Sequence, residues 1–251
     1  MSMFDLQGKV AIVTGANTGL GQGIACGLAE YGAKVVCVGR SDMAETEKLL
    51  GNFKAEFLSV YADLSSTASI PGIIKKALEK FGRIDILCNN AGIIRREDAI
   101  DFSELDWDDV MNTNLKTAFF LSQAVAREFI KQGSKGKIVN VASLLSFQGG
   151  IRVPSYCASK SGLRGLTMAL ANEWGKFGIN INAIAPGYMV TNNTTALQND
   201  PVRYGAIIER IPMGRWGTPD DIKGPAVFLS SRASDYVNGY TIAVDGGWLG
   251  R

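Results

Sequence analysis

The sequence predicts an α/β protein: one doubly wound parallel sheet of about seven strands, with helices on both faces. Three observations carry this expectation. Seven short runs rich in Val and Ile recur, and most are near-continuously apolar rather than alternating, as strands covered on both faces are. Segments with helical spacing of apolar residues lie between them. The 251 residues are 46% hydrophobic and 20% charged, a globular composition with material for a large core.

The first run is Val10-Ala11-Ile12-Val13, followed by a helix over 21–31 whose Ile24, Leu28 and Tyr31 share a stripe. Val35-Val36-Cys37-Val38 and Phe57-Leu58-Ser59-Val60 are next. A helix over 68–81 then lines up Ile70, Ile73, Ile74, Ala77, Leu78 and Phe81 ahead of Ile84-Asp85-Ile86-Leu87-Cys88. A long helical segment runs from 104 to about 132 and leads to Ile138-Val139-Asn140-Val141. Another runs from 155 to about 177 and leads to Ile179-Asn180-Ile181-Asn182-Ala183-Ile184. The last run is Tyr240-Thr241-Ile242-Ala243-Val244. Gly32, Gly82 and Gly178 stand just past helix ends, where a left-handed cap favours glycine. No linker or repeat interrupts the alternation, so residues 1–251 read as one domain. The stretch 186–220 breaks the pattern and reads as a lid.

Composition excludes several kinds of chemistry. There is no histidine, so no imidazole triad, His-ligated metal site or His switch exists, and no metal is expected. Net charge is +2 with no basic run, giving no reason to expect nucleic acid. Cys26, Cys37, Cys88 and Cys157 form no CxxC pair, and they read as small hydrophobes in a reducing, cytoplasmic compartment. The start of the chain lacks a secretory pattern, and no apolar run reaches the ~18 residues of a membrane span.

Polar or glycine-rich stops follow six of the strands. Ligands of open parallel sheets bind outside that edge. After the first strand comes Thr14-Gly15-Ala16-Asn17-Thr18-Gly19-Leu20-Gly21, opening a helix whose N-terminus offers free N–H groups to a pyrophosphate. After the second comes Gly39-Arg40-Ser41-Asp42. Gly39 leaves empty the place of a ribose-binding carboxylate, and Arg40 suits a 2′-phosphate or is a solvated surface residue; Asp42 suits the N-cap of a following helix. Asp63 with Leu64, then Asn90, Ala91 and Gly92 after Asn89, suit adenine and ribose, though Asp and Asn also cap plain turns. Ser143 follows the fifth strand, and Pro186-Gly187 with Thr191 the sixth.

The sharpest constellation is Tyr156 with Lys160, one helical turn apart in a helix whose N-cap Ser155 would supply. A free phenol titrates near ~10 and is a poor base at neutral pH. A nearby ammonium and the helix dipole both favour the phenolate, and lowering it to ~7 takes roughly 4 kcal/mol. With histidine absent, a tuned tyrosine is the base this chain offers.

Together these motifs, with Asn114, resemble the short-chain dehydrogenase/reductase family over the full length. The resemblance implies a Rossmann sheet, a nicotinamide cofactor (NAD or NADP) and a homotetramer. It implies that Tyr156 is the general acid/base, that Lys160 also holds the nicotinamide ribose, that Ser143 bonds the reacting oxygen and that Asn114 anchors a relay water. The stretches 94–98, 107–111, 146–156, 185–193 and 234–240 resemble a branch of the family acting on deoxy sugar acids in pectin and uronate breakdown. That branch generally uses NAD, from which Gly39-Arg40 departs. A sugar acid carries a carboxylate, which an arginine binds bidentately. Arg152 is the first candidate, with Arg95 and Arg96 after it, unless they pair with Glu97, Asp98 or the acids near Trp107. Gln148, Met189 and Asn192 are further pocket candidates. The alternatives are a 3-oxoacyl carrier-protein reductase, a gluconate 5-dehydrogenase or a non-catalytic dinucleotide sensor.

Overall fold

The computed structural model describes residues 2–251. Its strands are β1 (Val10–Thr14), β2 (Lys34–Gly39), β3 (Phe57–Tyr61), β4 (Ile86–Asn89), β5 (Gly136–Val141), β6 (Ile179–Pro186) and β7 (Thr241–Val244). They form one parallel sheet in the order β3-β2-β1-β4-β5-β6-β7. The chain winds outward from β1 to β3, crosses back to β4 and winds out the other way. This is the predicted doubly wound class, with the crevice of the switch point between β1 and β4.

The helices are α1 (Gly19–Glu30), α2 (Ala44–Asn52), α3 (Ile70–Phe81), α4 (Glu104–Met111), α5 (Thr117–Lys131), α6 (Pro154–Trp174), α7 (Thr195–Gln198), α8 (Pro201–Arg210) and α9 (Pro219–Ser230). The strand side chains alternate between two cores. Ala11 and Val13 of β1 face Ile24 and Leu28 of α1 and Ile222 and Ala226 of α9. Val10 and Ile12 face Ile73 of α3, Leu121 and Phe129 of α5 and Leu170 of α6. Both sheet faces are therefore dry, which explains why the strands read as solid apolar runs. A third cluster joins Leu144, Ile207, Ile211, Trp216 and Trp248 beyond the carboxyl edge.

Several local expectations change. Helix α6 starts one residue before the expected cap. Pro154 takes its first position after Val153, since a fixed φ and a missing N–H suit that place. Ser155 is thereby drawn into the first turn, where its buried hydroxyl has no partner. Asp42 is not the N-cap of α2; it stands one residue too early, its carboxylate accepting from Ala44 N at 3.1 Å, and Met43 is the cap. The segment 104–132 is two α-helices joined by a π turn, Asn112–Lys116. The stretch 186–220 holds the short helices α7 and α8. Gly82 and Gly178 cap helices with φ of 75° and 74°. All four cysteines are free. Among the described residues no helix is long and apolar enough to cross a membrane, and no acidic or thiol cluster has metal-holding geometry.

Candidate active site

The turn after β1 rests on two glycines. Gly15 has φ of 65°, which side chains rarely adopt, and a Cβ on Gly21 would strike the Gly15 carbonyl and the Asn90 side chain. Helix α1 therefore begins hard against the sheet edge. Thr18, its N-cap, makes no side-chain capping bond, and no acid stands in the first turn. This uncapped positive end opens on a cavity of about 250 Å³ lined by Gly15, Asn17, Thr18, Gly19 and Leu20. A glycine-built turn beneath an uncapped helix end fits a dinucleotide pyrophosphate.

The β4 edge is laced to β1. Thr14 Oγ1 accepts from Asn90 N and Ala91 N, both at 3.0 Å, and Asn90 Nδ2 donates to Thr14 O at 2.9 Å. Asn90, Ala91 and Gly92 are thus held at the cavity wall. Asn89 turns inward instead and donates to Asn140 Oδ1 at 2.9 Å. Pro186, Gly187, Met189, Thr191 and Asn192 form the opposite wall, and Gly19 lies close under the Thr191 methyl.

A second hollow of about 470 Å³ shares Gly15, Asn17, Ala91 and Gly92 and extends past Gly39, Arg40 and Ser41 to Asp63 and Leu64. Asp63 accepts from Ser65 N at 2.9 Å, and that backbone bond, more than the nearby Arg40 charge, holds its carboxyl below the usual range. Arg40 makes no ion pair among the described residues. Asn17 Nδ2 donates to Ser41 Oγ at 2.8 Å. A Cβ on Gly39 would come within 3.2 Å of Asn17 Oδ1 and 3.3 Å of Met43 Cε.

The four expected catalytic residues meet beside the first cavity. Asn114 lies in the π turn between α4 and α5, an irregularity frequent at functional sites. It is 1% exposed; Nδ2 donates to Ile93 O at 2.9 Å, and Oδ1 accepts from Ile93 N at 2.8 Å. Ser143 follows β5, its Oγ accepting from Leu145 N at 3.1 Å. Ser143, Tyr156 and Lys160 all line the cavity. Lys160 Nζ donates to Val141 O at 2.6 Å and lies 5.7 Å from the Tyr156 ring centre.

Burial dominates the protonation of both Tyr156 and Lys160. Burial pushes the Tyr156 phenol above its usual value; the nearby Ser143 side chain and the charge of Arg96 act against that. Burial lowers Lys160 to about 8. Lys160 Nζ gives one of its three donors to the Val141 carbonyl and keeps two for a ligand.

The arginines also change rank. Arg152 has φ of 63° and pairs with Glu97 at 3.3 Å and Asp98 at 3.1 Å. Arg95 pairs with Asp106 at 3.0 Å and Asp109 at 3.2 Å. Both are neutralised by carboxylates. Arg96 has no carboxylate partner among the described residues; its Nη2 donates to the carbonyl of Asn193, a cavity residue, at 3.0 Å. Gln148 does not line the cavity, and its side-chain oxygen is taken by Trp248 Nε1 at 3.0 Å. Sequence reading missed Asn193, Thr194 and the Val141 carbonyl. Only the Asn192-Asn193-Thr194 polar run after Thr191 carried a signal.

Comparison with known proteins agrees with this geometry. A family model described as enoyl-(acyl carrier protein) reductase matches residues 15–249. The chain is 62% identical to the 2-dehydro-3-deoxy-D-gluconate 5-dehydrogenase of Dickeya dadantii over 251 residues, covering 100% of this chain and 99% of that one. It is 61% identical to the Escherichia coli protein of that name, with the same coverage. A crystal structure from Agrobacterium tumefaciens with bound NADP, provisionally assigned as a 2-deoxy-D-gluconate 3-dehydrogenase, superposes with a TM-score of 0.95. It has 55% identity over 100% of both chains.

Proposed function

The chain belongs to the short-chain dehydrogenase/reductase family, and from that premise we propose that it is a 2-dehydro-3-deoxy-D-gluconate 5-dehydrogenase (2-deoxy-D-gluconate 3-dehydrogenase) in type. It is an oxidoreductase that uses NAD(P) on a CH–OH group of a sugar acid. The observation that carries this reading is that Ser143, Tyr156 and Lys160 line the same cavity as the glycine-built anion seat. The nicotinamide, when bound, supplies or accepts the hydride.

The residues divide the remaining work. Tyr156 takes the substrate hydroxyl proton in oxidation and returns it in reduction. Ser143 holds the reacting oxygen in place, so the geometry is set in advance. Lys160 holds the nicotinamide ribose. Asn114 fixes the Ile93 backbone by two bonds and holds a water in the proton path. Glycines and first-turn N–H groups of α1 seat the pyrophosphate, while Asp63, Leu64 and Ala91 bound the adenosine side.

Arg96 binds the substrate carboxylate. It alone of the three candidate arginines lacks an acidic partner among the described residues, and its charge reaches Tyr156. Met189 and Asn192 shape the same wall. At the adenosine end, the free Arg40 and the absent side chain at Gly39 support NADP over NAD. The lid formed by 186–220 closes the substrate side. The same reading makes the enzyme a cytoplasmic homotetramer of pectin and uronate breakdown. Four free thiols fit a reducing compartment, and the exposed Phe120 of α5 and Met168 of α6 suit a subunit contact.

Initial rates with NAD+ and NADP+ across a panel of 2-dehydro-3-deoxy and 2-deoxy sugar acids, and with NADH and NADPH on 3-oxoacyl thioesters, test this directly. Turnover of a sugar acid supports the assignment, whereas turnover confined to acyl thioesters overturns it.

A further inference from the structure

The chain's last residues reach back to the loop that carries Ser143. Trp248 is 4% exposed, and its Nε1–H donates to Gln148 Oε1 at 3.0 Å across 100 positions of sequence. An indole nitrogen only donates, so Gln148 must present its oxygen, and its amide orientation is fixed. The Arg210 guanidinium at the end of α8 lies 4.0 Å from the centre of the Trp248 ring system. Tyr188 packs on the same indole at 4.8 Å. Tyr188 stands between Gly187 and Met189, both cavity residues. It also meets Trp216 edge-on at 5.4 Å, and Trp216 stacks on Tyr204 of α8 at 5.5 Å.

The tail is bent for this contact. Gly246 and Gly247 have φ of 65° and 93°, and a Cβ on Gly246 would press on Ile211 Cγ2 at 2.8 Å. Met213 N donates to Gly246 O at 3.1 Å, and Arg251 Nη1 donates to Glu209 O at 2.9 Å. Four segments distant in sequence therefore converge on one indole: the Ser143 loop, the strand end at Tyr188, α8 and the C-terminus.

We propose that Trp248 is a positioning residue that joins the 144–152 loop to α8 as one body and thereby sets the substrate-side wall of the active site. This rests on the reading of that wall as the sugar-acid side. Packing alone would need an aromatic ring at this position. The bond to Gln148 needs an indole.

Trp248→Phe separates the two, because phenylalanine keeps a ring between Tyr188 and Arg210 but cannot donate. It should raise KM for the sugar acid about 3- to 10-fold, the effect of one lost hydrogen bond, with kcat changed less than about 3-fold. NADPH affinity, read from its fluorescence, should stay within about 2-fold. Amide hydrogen exchange should quicken about 10-fold in 144–152 and 201–211 together, with the sheet unchanged. Trp248→Ala should enlarge each effect; if it does not fold, Trp248→Phe decides alone. Wild-type KM and wild-type exchange in Trp248→Phe would overturn the proposal, as would exchange that quickens in α8 while 144–152 stays protected. Were the wild-type protein to turn over no sugar acid, the substrate reading would fall, and the exchange result would still decide the role of Trp248.

Discussion

Lys160 donates to the Val141 carbonyl at 2.6 Å from a position 4% exposed to solvent, so its nearest partner is a neutral dipole rather than a carboxylate. Burial without a counter-ion disfavours the ammonium and brings its titration down to about 8 from an ordinary value of 10.5. Between those values the unfolded chain holds more protons than the native one. Stability contributed by this group therefore rises as pH climbs from about 8 to 10.5, and the ammonium is a cost below that window. Lys160→Met should remove that rise. Urea midpoints at pH 7.5 and 9 measure it: the wild type should gain on the variant at the higher pH, and parallel curves would refute the assignment. Cys37 and Cys88, pushed up to about 12 by burial, work in the opposite sense above pH 9, and are common to both proteins.

The proposed mechanism gives the substrate proton to Tyr156, which lines the cavity beside Ser143 and Lys160. Tyr156→Phe removes the hydroxyl and leaves the ring. Turnover should fall by about 10³-fold or more, in the upper range for loss of a general acid/base, while NADPH affinity changes less than about 2-fold. Burial holds the phenol above 10, so the free protein should show no tyrosinate absorbance from this residue at pH 8. Ultraviolet difference spectra of wild type against Tyr156→Phe check that point.

The class of fold was legible because both sheet faces are buried, which writes Val10 to Val13 and its counterparts as unbroken apolar runs. Helix α9 was not, since Pro225 stands inside it and a polar Pro219-Asp220-Asp221 start resembles a loop. Ser143, Tyr156 and Lys160 were legible as candidates because their spacing is local, from strand end to helix turn, whereas Asn114 entered only through the family resemblance. The acids that pair with the arginines were legible as an alternative, since Glu97, Asp98 and the acids near Trp107 stand close by in sequence. Which arginine stays without an acid was not: folding gives Asp106 and Asp109 to Arg95, Glu97 and Asp98 to Arg152, and none to Arg96 among the described residues. The partner of Lys160 was hidden because the carbonyl it bonds lies on β5 while Lys160 stands in α6.

Arg40 and Ser41 give a cofactor prediction. A 2′-phosphate would meet an unpaired guanidinium and a hydroxyl already accepting from Asn17 at 2.8 Å, leaving its own O–H free to donate. Arg40→Ala should weaken NADPH binding about 10- to 100-fold and leave NADH within about 2-fold, the difference a charge-assisted bond makes. Titration of both reduced cofactors by fluorescence measures this. Equal losses for the two would mean that Arg40 serves only the surface.

Arg96 and Arg152 offer a matched pair of substitutions. Arg152 sits at a strained φ of 63° and is held by two acids, so Arg152→Ala should leave KM for the sugar acid within about 2-fold. Its cost belongs to the loop, and because both carboxylates are exposed the urea midpoint should be nearly unchanged. Arg96 spends one donor on the Asn193 carbonyl and keeps the rest of its fork for a ligand. Arg96→Ala should raise KM about 10- to 100-fold, since a charged hydrogen bond is worth roughly 1.5–3 kcal/mol, with cofactor affinity unchanged. Arg96→Lys should recover only part of the loss, because an ammonium keeps the charge but not the two-pronged geometry. The reverse order, with Arg152→Ala raising KM and Arg96→Ala silent, would move the carboxylate seat to the loop after Ser143 and require the Glu97 and Asp98 pairs to open on binding.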